Sequence, residues 1–253
     1  MNSVVSAVSV KNVTVMYQDT VALHSVSVEV PVGSLLAIIG PNGAGKTTFM
    51  KSILGLLQPI AGTISIFGST LNQQRNKVAY VPQRMSVDWD FPINVYDVVM
   101  MGRYGKLGWL RRPGAEDKRC VLEALEQVDL QAHAYKPIGQ LSGGQQQRVF
   151  FARALAQQAE LYLLDEPFVN IDGATEHTLV CILQELTRHG KTVLVVHHDL
   201  HTVRAYFESA LLLNVQVLAQ GSVDQIITPA CLQRAYGGRY SGPAQEKDSL
   251  VWR

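Results

Sequence analysis

The sequence has few cysteines and almost no net charge. Its 253 residues include three cysteines, Cys120, Cys181 and Cys231, which lie far apart and form no CxxC pair. This spacing argues against a disulfide framework or a structural zinc site, and it fits a reducing cytosol. Charged residues make up 17% of the chain, and 22 basic against 21 acidic residues leave a formal net charge of +1. The chain as a whole is therefore no polyelectrolyte for nucleic acid or an acidic membrane.

Long apolar runs are missing as well. No window reaches the roughly 18 uninterrupted apolar residues that a spanning helix needs. The opening MNSVVSAVSVK places no basic residue before its weakly apolar stretch, unlike a secretory signal. We therefore expect a chain that is neither secreted nor embedded in a membrane by itself. Apolar residues still amount to 47% of the composition, which is ample for a buried core.

What the sequence does contain is an alternation of short apolar strands and amphipathic helices. The glycine-bounded run at 35–39 predicts a strand buried on both faces, followed by a turn and a helical pattern up to Leu57. Further strands are predicted at 62–68, 77–83, 161–167, 191–199 and 210–221, and further helices at 116–130, 144–158, 174–189 and 200–208. This order predicts an α/β fold with a largely parallel sheet. We expect an irregular stretch at 84–113 and a looser tail after 222.

The first chemical motif is the loop Gly40 to Thr47, GPNGAGKT, which matches GxxxxGK[ST] between a predicted strand and a predicted helix. Glycines let the backbone pass close to phosphate oxygens, and successive N–H groups at a helix N-terminus attract anions. Lys46 would then reach the outer phosphates of a nucleotide, and the Thr47 hydroxyl would bind Mg²⁺. The alternative is a glycine turn that merely starts a helix, and the flanking elements argue against it.

The second motif is a pair of acids, Asp165 and Glu166, at the end of a predicted strand. Ligands of open α/β sheets bind at the carboxyl ends of the strands. Asp165 would hold Mg²⁺, mainly through its water shell, and Glu166 would act on the attacking water as a general base or orienting group. The two acids could also be plain solvated residues at a strand end. Their occurrence beside a nucleotide loop favours the catalytic role.

The third motif, LSGGQ at 141–145, directly precedes a predicted helix. Ser142 can cap that helix, which would be a sufficient structural role. Gly143 and Gly144 also expose N–H groups at a positive helix end and so form a second phosphate site. One chain cannot easily aim both sites at one nucleotide. A head-to-tail pair solves this, because each copy gives its serine and glycines to the γ-phosphate held by the other copy's lysine loop.

GPNGAGKTT, LSGGQ and LYLLDEP occur in that order, and together they resemble the nucleotide-binding subunit of an ATP-binding cassette (ABC) transporter. The resemblance covers roughly residues 8–225. It implies a P-loop NTPase core with a mainly parallel sheet, a small antiparallel β part and a helical insertion. One domain would fill residues 1–253, with a catalytic core at about 1–84 and 156–225, a helical subdomain at about 85–155 and a C-terminal tail at about 226–253.

The resemblance also implies a function and partners. ATP with Mg²⁺ would be sandwiched in a homodimer at the cytoplasmic face of the cell membrane. Closure and reopening of the dimer would drive an integral membrane permease, which receives its cargo from a separate substrate-binding protein. The main alternative is a soluble ABC ATPase acting on nucleic acid or ribosomes, but the near-zero net charge gives no basic stripe for it. A regulatory nucleotide binder without turnover is disfavoured by the presence of Glu166 and His198.

Individual roles follow from the resemblance as well. Tyr17 would stack on adenine, although a tyrosine in a strand is more often ordinary packing. Asp172 would bridge the two subunits, beside a Val169-Asn170-Ile171 stretch that departs from the common Ser-Ala-Leu. Glu166, His198, Lys46 and Gln83 would be catalytic, and Thr47, Gln83 and Asp165 would hold the Mg²⁺. Besides Tyr17 and Asp172, the nucleotide contacts would be Gly40, Asn42, Gly43, Gly45, Lys46, Thr47, Thr48, Ser142, Gly143, Gly144 and Gln145.

Two stretches leave alternatives. His197, His198, Asp199 and His201 are residue types that bind zinc, but the resemblance selects His198 for the γ-phosphate and leaves His197 structural and His201 on a helix surface.

The insertion resembles the branch that imports divalent metals, manganese or iron, with zinc as a close neighbour. Its aromatics could line a docking groove for a permease helix or fill the insertion's own core. They are Trp89, Phe91, Tyr104 and Trp109, with Arg103, Lys106, Arg111 and Arg112 expected near the rim.

Overall fold

A computed structural model describes residues 6–83, 91–108, 111–169 and 171–237 of the chain. Its smaller sheet is antiparallel, with three strands in the order β2-β1-β4. Strands β1 (Ser6–Tyr17) and β2 (Thr20–Pro31) form a long hairpin, and β4 (Ala61–Ile66) pairs with the other edge of β1. In β2, buried valines alternate with exposed residues, so one face of this sheet packs inward and the other meets solvent.

The larger sheet has six strands in the order β5-β6-β7-β3-β8-β9. The first five in this order run parallel: β5 (Val78–Val81), β6 (Leu161–Asp165), β7 (Thr192–Val196), β3 (Leu35–Ile39) and β8 (Ser209–Asn214). Strand β9 (Gln216–Ser222) is an antiparallel edge strand on β8. The central strands are apolar along their length because both faces of the sheet are covered.

Helices connect the strands. In the described residues they are α1 (Lys46–Ile53), α2 (Leu71–Gln74), α3 (Val95–Met100), α4 (Tyr104–Leu107), α5 (Ala115–Gln127), α6 (Gly143–Gln157), α7 (Gly173–Arg188), α8 (Leu200–Tyr206), α9 (Val223–Ile226) and α10 (Pro229–Tyr236). No helix in this described part of the chain is both long and apolar enough to cross a membrane.

The two faces of the larger sheet belong to different cores. Ile38 faces the smaller sheet and α1, whose Phe49 is fully buried there. The next residue, Ile39, faces the second core, to which α3, α5, α6 and α7 contribute. Successive residues of a strand point to opposite faces, so each central strand is held from both sides. This fixes the position of the loops that follow the strands.

The structure confirms the α/β class, the mainly parallel sheet and the small antiparallel part, and it corrects several element boundaries. Helix α1 ends at Ile53, because the N–H groups of Leu56 and Leu57 both donate to the Lys51 carbonyl and close a turn. The predicted single strand 210–221 is a β8–β9 hairpin, since Val215 takes a left-handed φ of 59°. Within the stretch 84–113, residues 95–107 are helical, and the tail after 222 contains α9 and α10.

Arg103 does not lie on a groove rim, and that prediction is wrong. Its side chain is buried, with Nε donating to Asp117 Oδ1 at 2.9 Å and Nη1 donating to the Ala156 carbonyl at 2.8 Å. These bonds tie the turn after α3 to the start of α5 and the end of α6. A guanidinium can be buried in this way only because its donors are matched to a carboxylate and a carbonyl.

Candidate nucleotide-binding site

The carboxyl ends of four neighbouring strands meet at one edge of the larger sheet. Strand β3 leads into the loop 40–47, β6 ends at Asp165, and β7 leads into His197. Strand β5, at the edge of the sheet beside β6, leads into Gln83. These segments are far apart in the chain, and the strand order alone makes them neighbours. Ligands of open α/β sheets bind at this edge.

The loop 40–47 passes close to the chain around it. A Cβ at Gly40 would lie 2.0 Å from the Leu213 carbonyl oxygen, and a Cβ at Gly45 would lie 2.5 Å from the Ala22 carbonyl oxygen. Both glycines also have positive φ, 155° and 91°. Helix α1 begins directly after Gly45, so the N–H groups of its first turn lie at the loop. A glycine-rich loop at a positive helix end is an arrangement that attracts anions.

The Lys46 ammonium is held across this loop. Its Nζ donates to the Gly40 carbonyl at 2.8 Å and to the Pro41 carbonyl at 2.9 Å, and the side chain is buried. Burial lowers the pKa of this ammonium, whereas the nearby Glu166 and Asp165 carboxylates raise it. A cation in this position can form charge-assisted hydrogen bonds to the outer phosphates of a nucleotide.

Asp165 and Thr47 offer oxygen ligands beside the loop. The Thr47 hydroxyl donates to Asp165 Oδ1 at 3.3 Å, and the carboxylate is buried. Its other oxygen, Oδ2, has no hydrogen-bond partner among the described residues. Burial raises the pKa of this carboxyl, while the bond from Thr47 lowers it. A buried oxygen left unpaired is costly, and a hard divalent cation would satisfy it, so the two residues fit Mg²⁺.

Glu166 is tied to Gln83. The Gln83 Nε2 donates to Glu166 Oε2 at 2.7 Å, although the two residues are 83 positions apart. Glu166 also has a φ of 50°, a left-handed conformation that is uncommon outside glycine. The turn it makes directly after β6 and the bond across to the end of β5 fix the direction of its carboxylate. Gln83 can therefore orient the Glu166 carboxylate at the carboxyl-end edge of the larger sheet.

Several of these residues line one cleft of 580 Å³, whose other wall is the tip of the β1–β2 hairpin. Tyr17 on that wall is 44% exposed, and an exposed aromatic ring beside a nucleotide loop can stack on a base. The residue types of Thr20, Val21 and Ala22 carry no signal of ligand binding, and sequence reasoning missed these three lining residues. The remaining lining residues are Asn42, Gly43, Ala44, Gly45, Lys46, Thr47, Thr48, Gln83 and Glu166.

The two histidines after β7 have different surroundings. His198 is exposed and lines a second cleft of 790 Å³ together with Gly40, Pro41 and Asn42. His197 is 3% exposed, and its Nε2 lies 2.5 Å from Thr202 Oγ1. Burial lowers the pKa of His197 to about 4; His198 acts in the same direction and Asp199 opposes it. Only His198 borders the loop.

Acid should destabilise the fold through His197. The pKa of this imidazole is about 4 in the folded chain and near 6.5 when unperturbed. The unfolded state therefore binds more protons between these values, and stability is lost as the pH falls from 6.5 towards 4. We expect His197 to account for a loss of about 3 kcal/mol by pH 4.

Urea unfolding across this pH range, on the wild type and His197→Phe, measures that contribution. The unfolding free energy of the variant should depend less steeply on pH. His201→Phe, at an exposed position in α8, is the matched control and should keep the wild-type slope. Equal slopes for the wild type and His197→Phe would contradict the assignment.

The motif 142–145 lies at the start of α6 and lines neither cleft. Ser142 Oγ accepts from the Gln145 backbone N–H at 3.3 Å, and Gln145 Oε1 accepts from the Ser142 backbone N–H at 3.0 Å. This capping box is the structural role that the sequence allowed. Gly143 and Gly144 form the first turn of the helix. The fold does not bring the motif to the chain's own loop 40–47.

Asp172 occupies a similar position on another helix. Its Oδ1 accepts from the Thr175 backbone N–H and its Oδ2 from the Thr175 hydroxyl, both at 2.9 Å, so it caps α7. These two bonds lower the pKa of the Asp172 carboxyl. The neighbouring Asn170 lies outside the described residues. The bridge between subunits predicted for Asp172 stays a prediction.

The loop 40–47, with a lysine held across it and oxygen ligands beside it, places this chain among the P-loop nucleotide-binding proteins. Residues 23–169 match the ABC transporter family. The chain therefore belongs to the ABC transporter family, as a subunit that binds and hydrolyses ATP.

Individual relatives within this family include ATP-binding proteins of metal transport systems. The chain is 53% identical over 235 residues to the zinc transport system ATP-binding protein TroB of Treponema pallidum (strain Nichols), covering 93% of this chain and 88% of that protein. It is 51% identical to the manganese transport system ATP-binding protein MntB of Bacillus subtilis (strain 168), covering 92% of this chain and 93% of that protein. It also resembles an ATP-binding cassette solved as a dimer in a post-hydrolysis state with ADP and Pi, at a TM-score of 0.75 and 30% identity over 85% of this chain and 98% of that one.

Proposed function

We propose that this chain is the ATP-hydrolysing subunit of an importer of a divalent metal, manganese or zinc. It works as a homodimer on the cytoplasmic face of the membrane, beneath an integral membrane permease and a separate substrate-binding protein. The observation that carries the proposal is the convergence of Lys46, Thr47, Gln83 and Glu166 on one cleft. This cleft occurs in a chain that is more than half identical to zinc and manganese transport ATP-binding proteins.

Each side chain at the cleft has a separate task in hydrolysis. Lys46 and the loop N–H groups hold the outer phosphates, and Tyr17 stacks on the adenine. Glu166 accepts the proton of the attacking water or orients that water, with its carboxylate directed by Gln83. His198 contacts the γ-phosphate from the second cleft. Most of the rate enhancement then comes from positioning and charge stabilisation, as is usual for phosphoryl transfer.

Mg²⁺ fits the oxygen ligands at this edge. Thr47 and Asp165 would hold it, with Gln83 close by, and the unpaired Asp165 Oδ2 supports this assignment. Bound Mg²⁺ neutralises charge on the phosphates during transfer. Burial raises the pKa of the Asp165 carboxyl even though Lys51 and Lys46 lower it, and a bound cation would offset this cost of burial.

The position of the motif 142–145 supports a head-to-tail dimer. A phosphate site that lines neither cleft of its own chain can act only on a nucleotide held by another copy. Ser142, Gly143 and Gly144 would complete the partner's cleft, and Asp172 would lie across the seam. The related cassette with ADP and Pi is itself a dimer.

The described part of the insertion offers apolar side chains to a permease. Phe91, Met101 and Tyr104 are all exposed, and such residues suit the apolar face of a short amphipathic helix. Trp89 and Trp109, predicted to line the same groove, lie outside the described residues. The metal ion itself would pass through the permease and would not contact this chain.

Cells that lack this chain should accumulate several-fold less of one divalent metal. The test compares manganese, iron and zinc uptake from metal-poor medium in cells without the chain, with the wild-type chain, and with Glu166→Gln. The wild type should restore uptake of manganese or zinc, and Glu166→Gln should not. Equal accumulation of all three metals in every strain would contradict the proposed cargo.

The partner can be identified separately by purifying the chain from solubilised membranes. Co-purification of an integral membrane protein is the expected result. Co-purification of RNA in place of a membrane protein would support the soluble ABC ATPase instead, whatever the metal measurements show.

A further inference from the structure

His197 has no task in the proposed hydrolysis, yet its ring lies beside the His198 ring and contacts Phe168, two residues after Glu166. We propose that His197 is a positioning residue: its hydrogen bond to Thr202 and its contact with Phe168 set His198 relative to the segment that carries Glu166. The inference rests on the proposed contact of His198 with the γ-phosphate.

The backbone of His197 is held against the strand that leads into the nucleotide loop. Its N–H donates to the Ile38 carbonyl at 3.0 Å, and Ile38 lies two residues before Gly40. The side chain is almost completely buried, so its partners are interior groups. The backbone of His197 therefore has a fixed position relative to the loop 40–47. His198 is the next residue, so its backbone is anchored at the same point.

The imidazole closes the turn that carries His198. The Thr202 hydroxyl can donate to the Asp199 carbonyl at 3.1 Å, and its oxygen lies 2.5 Å from His197 Nε2. When the hydroxyl proton is on the Asp199 carbonyl, His197 Nε2 is the donor of the second bond. This side-chain bond joins His197 to Thr202 in the first turn of α8, and His198 lies in the segment between these two residues.

The other side of the ring contacts the segment after Glu166. Phe168 meets His197 edge-on, with ring centroids 5.4 Å apart and an interplanar angle of 90°. Phe168 is buried and lies two residues after Glu166. Phe207 packs against the ring as well, with centroids 5.9 Å apart. Displacement of the imidazole would thus change the spacing between His198 and Glu166.

Two pairs of variants separate the hydrogen bond from the volume of the side chains. His197→Phe and Thr202→Val remove the bond and keep similar volumes, whereas His197→Gln and Thr202→Ser keep a donor and a hydroxyl. On the purified full-length chain with MgATP, we expect kcat to fall roughly 10-fold in the first pair, with KM for ATP within about 2-fold of the wild type. The second pair should stay close to the wild-type kcat. Thermal midpoints establish that each variant is folded, and Thr202→Val keeps the test possible if His197→Phe does not fold.

A double-mutant cycle with His198→Ala decides how His197 acts. If it acts through His198, His197→Phe will cause no further loss of kcat in the His198→Ala background. A similar fold-loss in both backgrounds, or a wild-type kcat for both folded bond-removing variants, would overturn the inference alone. An unchanged kcat for His198→Ala would overturn the proposed role of His198, and the inference with it.

Discussion

Replacing Glu166 with glutamine should nearly abolish ATP turnover while ATP still binds. The amide has almost the same shape as the carboxylate, but it cannot accept a proton from the attacking water. General-base contributions are on the order of 100-fold to 10,000-fold, and we expect kcat to fall by at least about 100-fold. Because binding no longer leads to hydrolysis, ATP-bound dimers should accumulate. Phosphate release, equilibrium ATP binding and size-exclusion chromatography with MgATP measure the three effects.

A matched control is Glu126→Gln, which makes the same substitution on the exposed face of α5. It should leave turnover, binding and the oligomeric state unchanged. Steady-state hydrolysis at the wild-type rate in Glu166→Gln would remove the general-base assignment. A loss of ATP binding together with turnover would instead indicate that Glu166 helps to form the cleft.

Replacing Lys46 with alanine should weaken ATP binding itself. The ammonium is buried and carries charge to the loop that holds the phosphates, and hydrogen bonds to charged groups contribute about 1.5–3 kcal/mol each. Loss of one or two such bonds predicts roughly 100-fold weaker binding of MgATP. Equilibrium dialysis or titration calorimetry on the purified chain gives the dissociation constant.

The same substitution leaves the Gly40 and Pro41 carbonyls without their donor, so the thermal midpoint must be measured alongside. Lys118→Ala, at an exposed position in α5, removes an equal charge away from the site and should bind ATP as the wild type does. Wild-type affinity in a folded Lys46→Ala would count against the nucleotide role of this loop. The two variants differ in kind, because Lys46→Ala should lose binding and Glu166→Gln should lose turnover.

Several parts of the site could be predicted because their signals are local. The loop 40–47 needs only a strand before it and a helix after it, and short apolar runs indicate both. Ser142 caps a helix whose first turn follows it directly in the chain. Val215 shows where such local signals fail, since its residue type gives no indication of a left-handed turn between two strands.

The sequence by itself therefore determined that the loop 40–47 joins a strand to a helix, that Asp165 and Glu166 come at the end of a strand, the α/β class and the resemblance to ABC transporter ATPases. Only the tertiary structure decided that Gln83 bonds to Glu166 across 83 positions and Thr47 to Asp165 across 118. It also decided that Arg103 and His197 are buried while His198 borders the loop, and that the hairpin tip forms a wall of the cleft. The physical reason is range: residue patterns act over a few positions, whereas strand order and burial depend on packing both faces of the sheet against distant elements.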